Sequence, residues 1–154
     1  MNASDIRPYT HRVQYYETDK MQVTHHSNYL RFLEEARIDF LDQIGWGYAK
    51  VEEEGIISPV LSLTCDYRHA TTFPDVLTIC VAIEKLSAVR LTLGHTVRCG
   101  ERTVCTATTT HCFIGDGSPE SRRNRCRIRS SLILGDLKTD AIRAAPVAEQ
   151  PPKS

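Results

Sequence analysis

One run constrains the fold more than any other. From Tyr29 to Leu41 the chain is apolar over more than one face of a helix. Tyr29, Leu33, Ala36 and Phe40 recur at helical spacing, and Leu30, Phe32, Ile38 and Leu41 widen the stripe. Ser27 or Asn28 can cap the start, and Gly45 and Gly47 are placed to end it, which predicts a helix over 28–44. At ~1.5 Å per residue it spans roughly 25 Å. A helix this apolar belongs in a core, so the remaining chain must supply its cover.

The remaining chain reads as strands. Residues 60–69 set Leu61, Leu63, Cys65 and Tyr67 on one face, and 76–86 follow a Pro74-Asp75 turn. Residues 89–98 alternate Val89, Leu91, Leu93, His95 and Val97 against polar partners. Gly100-Glu101 makes a tight turn, and 103–114 are rich in Thr and Val. Ahead of the helix, 12–17 alternate as a first strand, and 48–55 form a short helical turn. Successive strands on short turns pair antiparallel. The class is α+β, with one five-stranded sheet curled round one long helix.

With 154 residues the chain makes one domain. We expect an N-terminal arm over 1–11, the domain over 12–138 and a tail of disorder-like composition over 139–154. The 19 basic and 19 acidic side chains balance, which argues against a nucleic-acid binder. The basic residues Arg122, Arg123, Arg125, Arg127 and Arg129 read as a solvated surface segment. No run is long enough for a membrane span and the first residues have no signal-peptide core, so a cytoplasmic location is expected. The six cysteines (65, 80, 99, 105, 112, 126) form no CxxC pair and are expected to be reduced and mostly buried.

The chemistry concentrates just before the helix. Asp19 ends the first strand, a loop carries His25 and His26, and the helix begins. A carboxylate facing the free N–H groups of a helix N-terminus suits attack on a carbonyl. The residues Tyr16, Thr18-Asp19, His26, Asn28-Tyr29-Leu30, Glu34-Glu35-Ala36-Arg37, Gly45, Pro59-Val60 and Asp66-Tyr67 carry a resemblance. Over residues 10–135 the chain resembles the hotdog fold, and more narrowly the acyl-CoA thioesterases of the 4-hydroxybenzoyl-CoA thioesterase and YbgC type.

That resemblance implies Asp19 as the catalytic carboxylate, base or nucleophile, and His26 as the donor of a backbone N–H to the thioester oxygen. It also implies a homodimer joined sheet edge to sheet edge, often paired into a tetramer, with active sites between subunits. The substrate is an acyl-CoA. CoA belongs to that substrate, and no further cofactor or metal is expected. Many relatives carry glycine three residues after the acid; here Gln22 stands there, which predicts an altered loop.

Other residues carry weaker expectations. His25 is a candidate substrate contact, and Tyr29 either lines the acyl pocket or packs in the core. Arg90 is a candidate for the CoA phosphates, since guanidinium suits phosphate. Glu34 and Glu35 are set to pair with Arg31 or Arg37 at helical spacing, and the alternative is that one of them faces the cavity at the dimer interface, as a helix acid does in some hotdog enzymes. His69, His95 and His111 fall in strands as packing residues. The competing functions are a hydratase or dehydratase on the same fold, and a non-catalytic acyl-CoA-binding module.

Overall fold

The computed structural model describes residues 6–87, 89–115 and 117–118. The basic segment 122–129, Cys126 and the tail lie outside the described residues.

The main sheet is five-stranded and antiparallel. Its strands are β1 (Tyr9–Arg12), β3 (Val60–Tyr67), β4 (Val76–Leu86), β5 (Arg90–Cys99) and β6 (Arg102–Cys112), in the order β1–β4–β5–β6–β3. Two residues each of β2 (Ile56–Ile57) and β7 (Ile114–Gly115) make a separate small ladder. The long helix α1 (His26–Gln43) packs on the sheet, and α2 (Tyr48–Glu53) follows it. This is the expected α+β hotdog architecture.

Local signals explain most of the elements. In β5, Leu91, Leu93, His95 and Val97 are buried while their neighbours are half-exposed, the period of two that a one-sided sheet demands. Cys99 pairs with Arg102 across a two-residue turn. Gly100, at φ +58°, takes its first central position, where a II′ hairpin requires glycine. At the end of α1 the Trp46 N–H donates to the Leu41 carbonyl (2.8 Å) and the Gly45 N–H to that of Asp42 (3.0 Å). With Gly45 at φ +79° this is a Schellman stop, closed by Trp46 packing in the same cluster as Leu41.

Three expectations are corrected. The first strand lies at Tyr9–Arg12, not 12–17, because β4 offers its free edge to Tyr9 through Arg12. Beyond Val13 the chain turns away in a 3-10 turn, Tyr15–Glu17, locked by Gln14 N–H donating to Glu17 Oε2 at 2.7 Å. Within one chain α1 buries a single stripe of Tyr29, Phe32, Leu33, Ala36, Arg37, Phe40 and Leu41, while Leu30 remains exposed. One sheet covers one helix face; Arg31, Glu34 and Glu35 occupy the other. Of the five described cysteines, all free thiols, Cys105 alone is fully buried and Cys80 is exposed.

The core has two lobes. Tyr29, Phe32, Leu33 and Ala36 meet Leu77, Ile79, Val97 and Val104 in one. Phe40, Leu41, Trp46 and Val51 meet Ile83, Leu91, Leu93 and Phe113 in the other. The edge strand β3 is different: Val60, Leu61, Leu63 and Tyr67 are all exposed. No helix among the described residues is long and apolar enough to cross a membrane.

Candidate active site

The acid loop is a small hairpin. Thr18 bridges Thr24, the Asp19 N–H donates to the Val23 carbonyl, and the Gln22 N–H donates back to that of Asp19, both at 2.9 Å. Asp19 Oδ1 accepts the Met21 N–H at 2.8 Å, an Asx turn that orients the carboxylate. Gln22 sits at φ +63°, the left-handed conformation this three-residue loop needs. Gln22 thus holds a backbone conformation that glycine would adopt without strain. Thr72 Oγ1 holds it there by donating to the Gln22 carbonyl at 2.6 Å.

A left-handed L-residue costs roughly 1–2 kcal/mol, and glycine would give back part of that as chain entropy. Gln22→Gly is therefore expected to leave stability unchanged or up to ~1 kcal/mol higher, while Gln22→Val loses ~1–2 kcal/mol. Urea denaturation of the two variants checks the order.

The helix starts two residues earlier than expected, and its cap is an imidazole. His25 Nδ1 meets Ser27 Oγ at 2.8 Å and accepts the Ser27 N–H at 3.3 Å. The Asn28 N–H goes to the His25 carbonyl at 2.9 Å, and Asn28 Nδ2 donates to the Glu17 carbonyl at 2.8 Å. His26, the first helical residue, is exposed, and among the described residues its N–H has no acceptor. That donor lies at the positive end of α1. The His26 ring lies tilted against that of His25, with centroids 4.3 Å apart. No hydrogen bond of the described residues joins Asp19 to either histidine.

Tyr67 was not singled out as a site residue. Its hydroxyl donates to the His26 carbonyl at 2.9 Å, and its ring stands edge-on to His26 and Tyr29. Burial pushes its phenol well above the usual range. The signal was present in the alternation of residues 60–69, which puts Tyr67 on one face without saying what that face meets. Tyr29 itself is buried, its hydroxyl 2.7 Å from Thr71 Oγ1, and burial raises its pKa. Thr24 joins the same Thr71 hydroxyl at 2.8 Å, tying the loop to the helix.

A second acid was also missed. Glu17 is buried and bonded to His11 Nε2 at 2.9 Å; His11 Nδ1 lies 3.5 Å from Glu35 Oε2 and its ring stacks on Phe32. The Tyr9 hydroxyl donates to Glu35 at 2.8 Å, and burial with that carboxylate pushes its pKa up to about 12. Glu35 therefore pairs across to Tyr9 and His11 of β1, and no pairing with Arg31 or Arg37 is found among the described residues. Sequence spacing pointed along the helix, and the packing of β1 against α1 decided otherwise.

Arg90 is not brought to this place within the chain. It pairs with Cys112 on β6, whereas Tyr67 pairs with Cys105. Seven residues at ~3.3 Å each set the two levels roughly 23 Å apart. His95 and His111 are buried, as expected of packing residues, and His69 is exposed with Nδ1 at 2.7 Å from the Thr103 carbonyl.

Comparison with known proteins accords with this geometry. Residues 13–149 match the model of the thioesterase-like superfamily. A protein of Aquifex aeolicus (strain VF5), provisionally named an esterase, is 37% identical over 109 residues, covering 71% of this chain and 85% of that protein. A Bacillus subtilis (strain 168) protein, provisionally named an acyl-CoA thioesterase, is 28% identical over 54% of this chain and 60% of its own. The crystal structure of a DHNA-CoA thioesterase from Staphylococcus aureus superposes with a TM-score of 0.69 at 25% identity, covering 86% of this chain and 96% of that one.

Proposed function

The chain belongs to the thioesterase-like superfamily and is a thioester hydrolase, and from that premise we propose that it hydrolyses acyl-CoA at the acid loop and the start of α1. The observation that carries the assignment is the His26 N–H, a donor at the positive end of the helix with no acceptor among the described residues. In the proposed step the thioester carbonyl oxygen meets that N–H, and the Asp19 carboxylate acts as base toward water or as nucleophile. Attack builds negative charge on the oxygen, which the N–H and the helix dipole stabilise. Collapse expels the CoA thiolate; attack by water leaves the free acid directly, and attack by Asp19 leaves a mixed anhydride that water then hydrolyses to the free acid.

His25 caps the helix and so holds this donor in place. Tyr67 anchors the same turn through the His26 carbonyl. Tyr29 closes the inner wall of the acyl site. Arg90, far away within one chain, would serve CoA only across a subunit boundary.

The test is an acyl-CoA panel with a thiol-reactive dye. It should include aromatic acyl groups, given the DHNA-CoA thioesterase among the structural neighbours. Thiol release supports the proposal. Enoyl absorbance change without thiol would favour a hydratase, and saturable binding without turnover a binding module. Because an N–H and a carboxylate carry the step, the rate is expected to be unchanged in excess chelator; loss restored by Zn²⁺ would overturn this account.

The working form we propose is a homodimer. An edge strand with exposed Val60, Leu61, Leu63 and Tyr67 offers both unpaired backbone groups and apolar surface to a second copy. Light scattering at micromolar concentration is expected to give at least twice the 17.4 kDa chain mass. A monomeric mass would sink this proposal.

A further inference from the structure

The cap of α1 is an imidazole, and a proton can break it. His25 Nδ1 accepts the Ser27 N–H at 3.3 Å and lies 2.8 Å from the Ser27 hydroxyl. To accept, Nδ1 needs its lone pair, so the ring proton sits on Nε2 and the imidazole is neutral. The usual capping side chains serine, threonine and asparagine keep their acceptor oxygen across the neutral range. An imidazole gives its acceptor up within roughly pH 5–8. Once protonated, Nδ1 still donates to the Ser27 hydroxyl, but it rejects the Ser27 N–H, which is left without its cap. The added charge also stands at the positive end of the helix.

The carboxylates on either side are engaged elsewhere. Glu17 is turned to His11 and the Gln14 N–H, and Asp19 Oδ1 holds the Met21 N–H. Among the described residues no hydrogen bond or ion pair joins either acid to His25. The His26 ring lies against that of His25, and the Tyr67 hydroxyl is spent on the His26 carbonyl. The cations of these segments, Lys20 on the acid loop, Arg31 on α1 and Arg68 after β3, are exposed. Two bonds that do not titrate remain: the His25 N–H and Asn28 Nδ2 both donate to the Glu17 carbonyl, at 2.9 and 2.8 Å. Losing the cap therefore loosens the first turn without unfolding the helix.

We propose that His25 is a positioning residue that makes the helix start proton-sensitive. The neutral ring fixes the first turn of α1, and with it the His26 N–H; the imidazolium releases both. His26 is the residue between the cap and the N–H it accepts, so its own N–H moves with that turn. An oxyanion donor works by being aimed before the charge develops, so loosening it raises the barrier of the chemical step more than it weakens ground-state binding. Hydrolysis is therefore expected to slow in mild acid through kcat rather than KM. That rate effect rests on the reading of the His26 N–H as the donor to the thioester oxygen; the proton-sensitive cap itself does not.

Two measurements on the full-length protein test it. In proton–nitrogen correlation spectra followed from pH 7.5 to pH 6.0, the Ser27 amide is expected to shift upfield in step with the His25 ring protons. In His25→Asn it should stay still, because asparagine caps well and does not titrate. Over the same range the parental kcat for thiol release, read with a pyridine disulfide dye, should fall roughly threefold with KM little changed. His25→Asn should lack that fall. His25→Ala, uncapped at every pH, should lack it too and be about fivefold slower than His25→Asn at pH 7.5, the usual worth of a cap. A Ser27 amide that ignores the His25 titration, a parental acid step kept by His25→Asn, or a rate that rises in acid overturns the proposal. A Ser27 amide that follows His25 in a protein releasing no thiol from any acyl-CoA supports the cap and rejects the hydrolysis.

Discussion

Asp19→Asn is expected to lower kcat by roughly 10²–10⁴, the usual cost of losing a general base, and by more if the carboxylate is the nucleophile. The substitution is clean because of how the loop is built. Asp19 uses Oδ1 to accept the Met21 N–H. Asparagine offers the same oxygen to the same donor, so the Asx turn and the left-handed Gln22 after it survive. Stability should therefore stay within ~0.5 kcal/mol of the parent, as for surface changes that break no bond. Acyl-CoA binding should also survive. His26→Ala should be milder, since the backbone N–H remains and only the imidazole goes. Retention of more than about a tenth of the parental kcat by Asp19→Asn, against the ~10²–10⁴ loss, would reject the assignment. Glu17, buried and paired with His11 beneath the same loop, would then be the acid to test next.

Below neutral pH the fold is expected to lose stability steeply, and His95 and His111 are the reason. Both have folded-state values near 4, lowered first by burial, with the Arg37 charge adding to it. An unfolded histidine titrates near ~6.5. A depressed folded value means the unfolded chain binds the proton first. The stabilisation is whole above ~6.5 and disappears as pH falls toward ~4. At pH 5 the linkage amounts to ~2 kcal/mol per residue, or ~4 kcal/mol for the two. That is a large part of a typical domain's ~5–15 kcal/mol. Urea melts at pH 7.5 and pH 5.0 measure it. The double variant His95→Asn, His111→Gln should lose most of the difference between the two pH values. A double variant with the parental pH dependence would place the titrating groups elsewhere.

Much of the architecture was legible because its signals are local. The alternation from Leu91 to Val97 is a property of the strand itself, and the buried set matches it residue for residue. Gly45 and Gly100 occupy backbone conformations that side chains resist, so the end of α1 and the β5–β6 turn could be placed from the chain alone. The order of one helix and then four strands on short turns leaves few antiparallel arrangements. The Asp19–His26 neighbourhood was legible for the same reason: acid, loop and helix start follow one another in sequence.

The rest depended on which distant segments meet. Residues 9–12 and 12–17 both alternate, and only the free edge of β4 chose the former. Helical spacing offered Glu35 an arginine on its own helix, but β1 brought Tyr9 and His11 to it instead. Arg90 stands at the opposite end of the sheet from Tyr67 because both are registered against β6. Arg37 reads as a surface charge in the EEAR run, yet it lies on the stripe that α1 turns toward the sheet. Periodicity fixes which residues share a face; strand register and helix packing, set by contacts remote in sequence, fix what that face meets. That is why the acid loop could be recognised in the chain, while the polar layer of Arg37, His95, Thr109 and His111 exists only in the folded molecule.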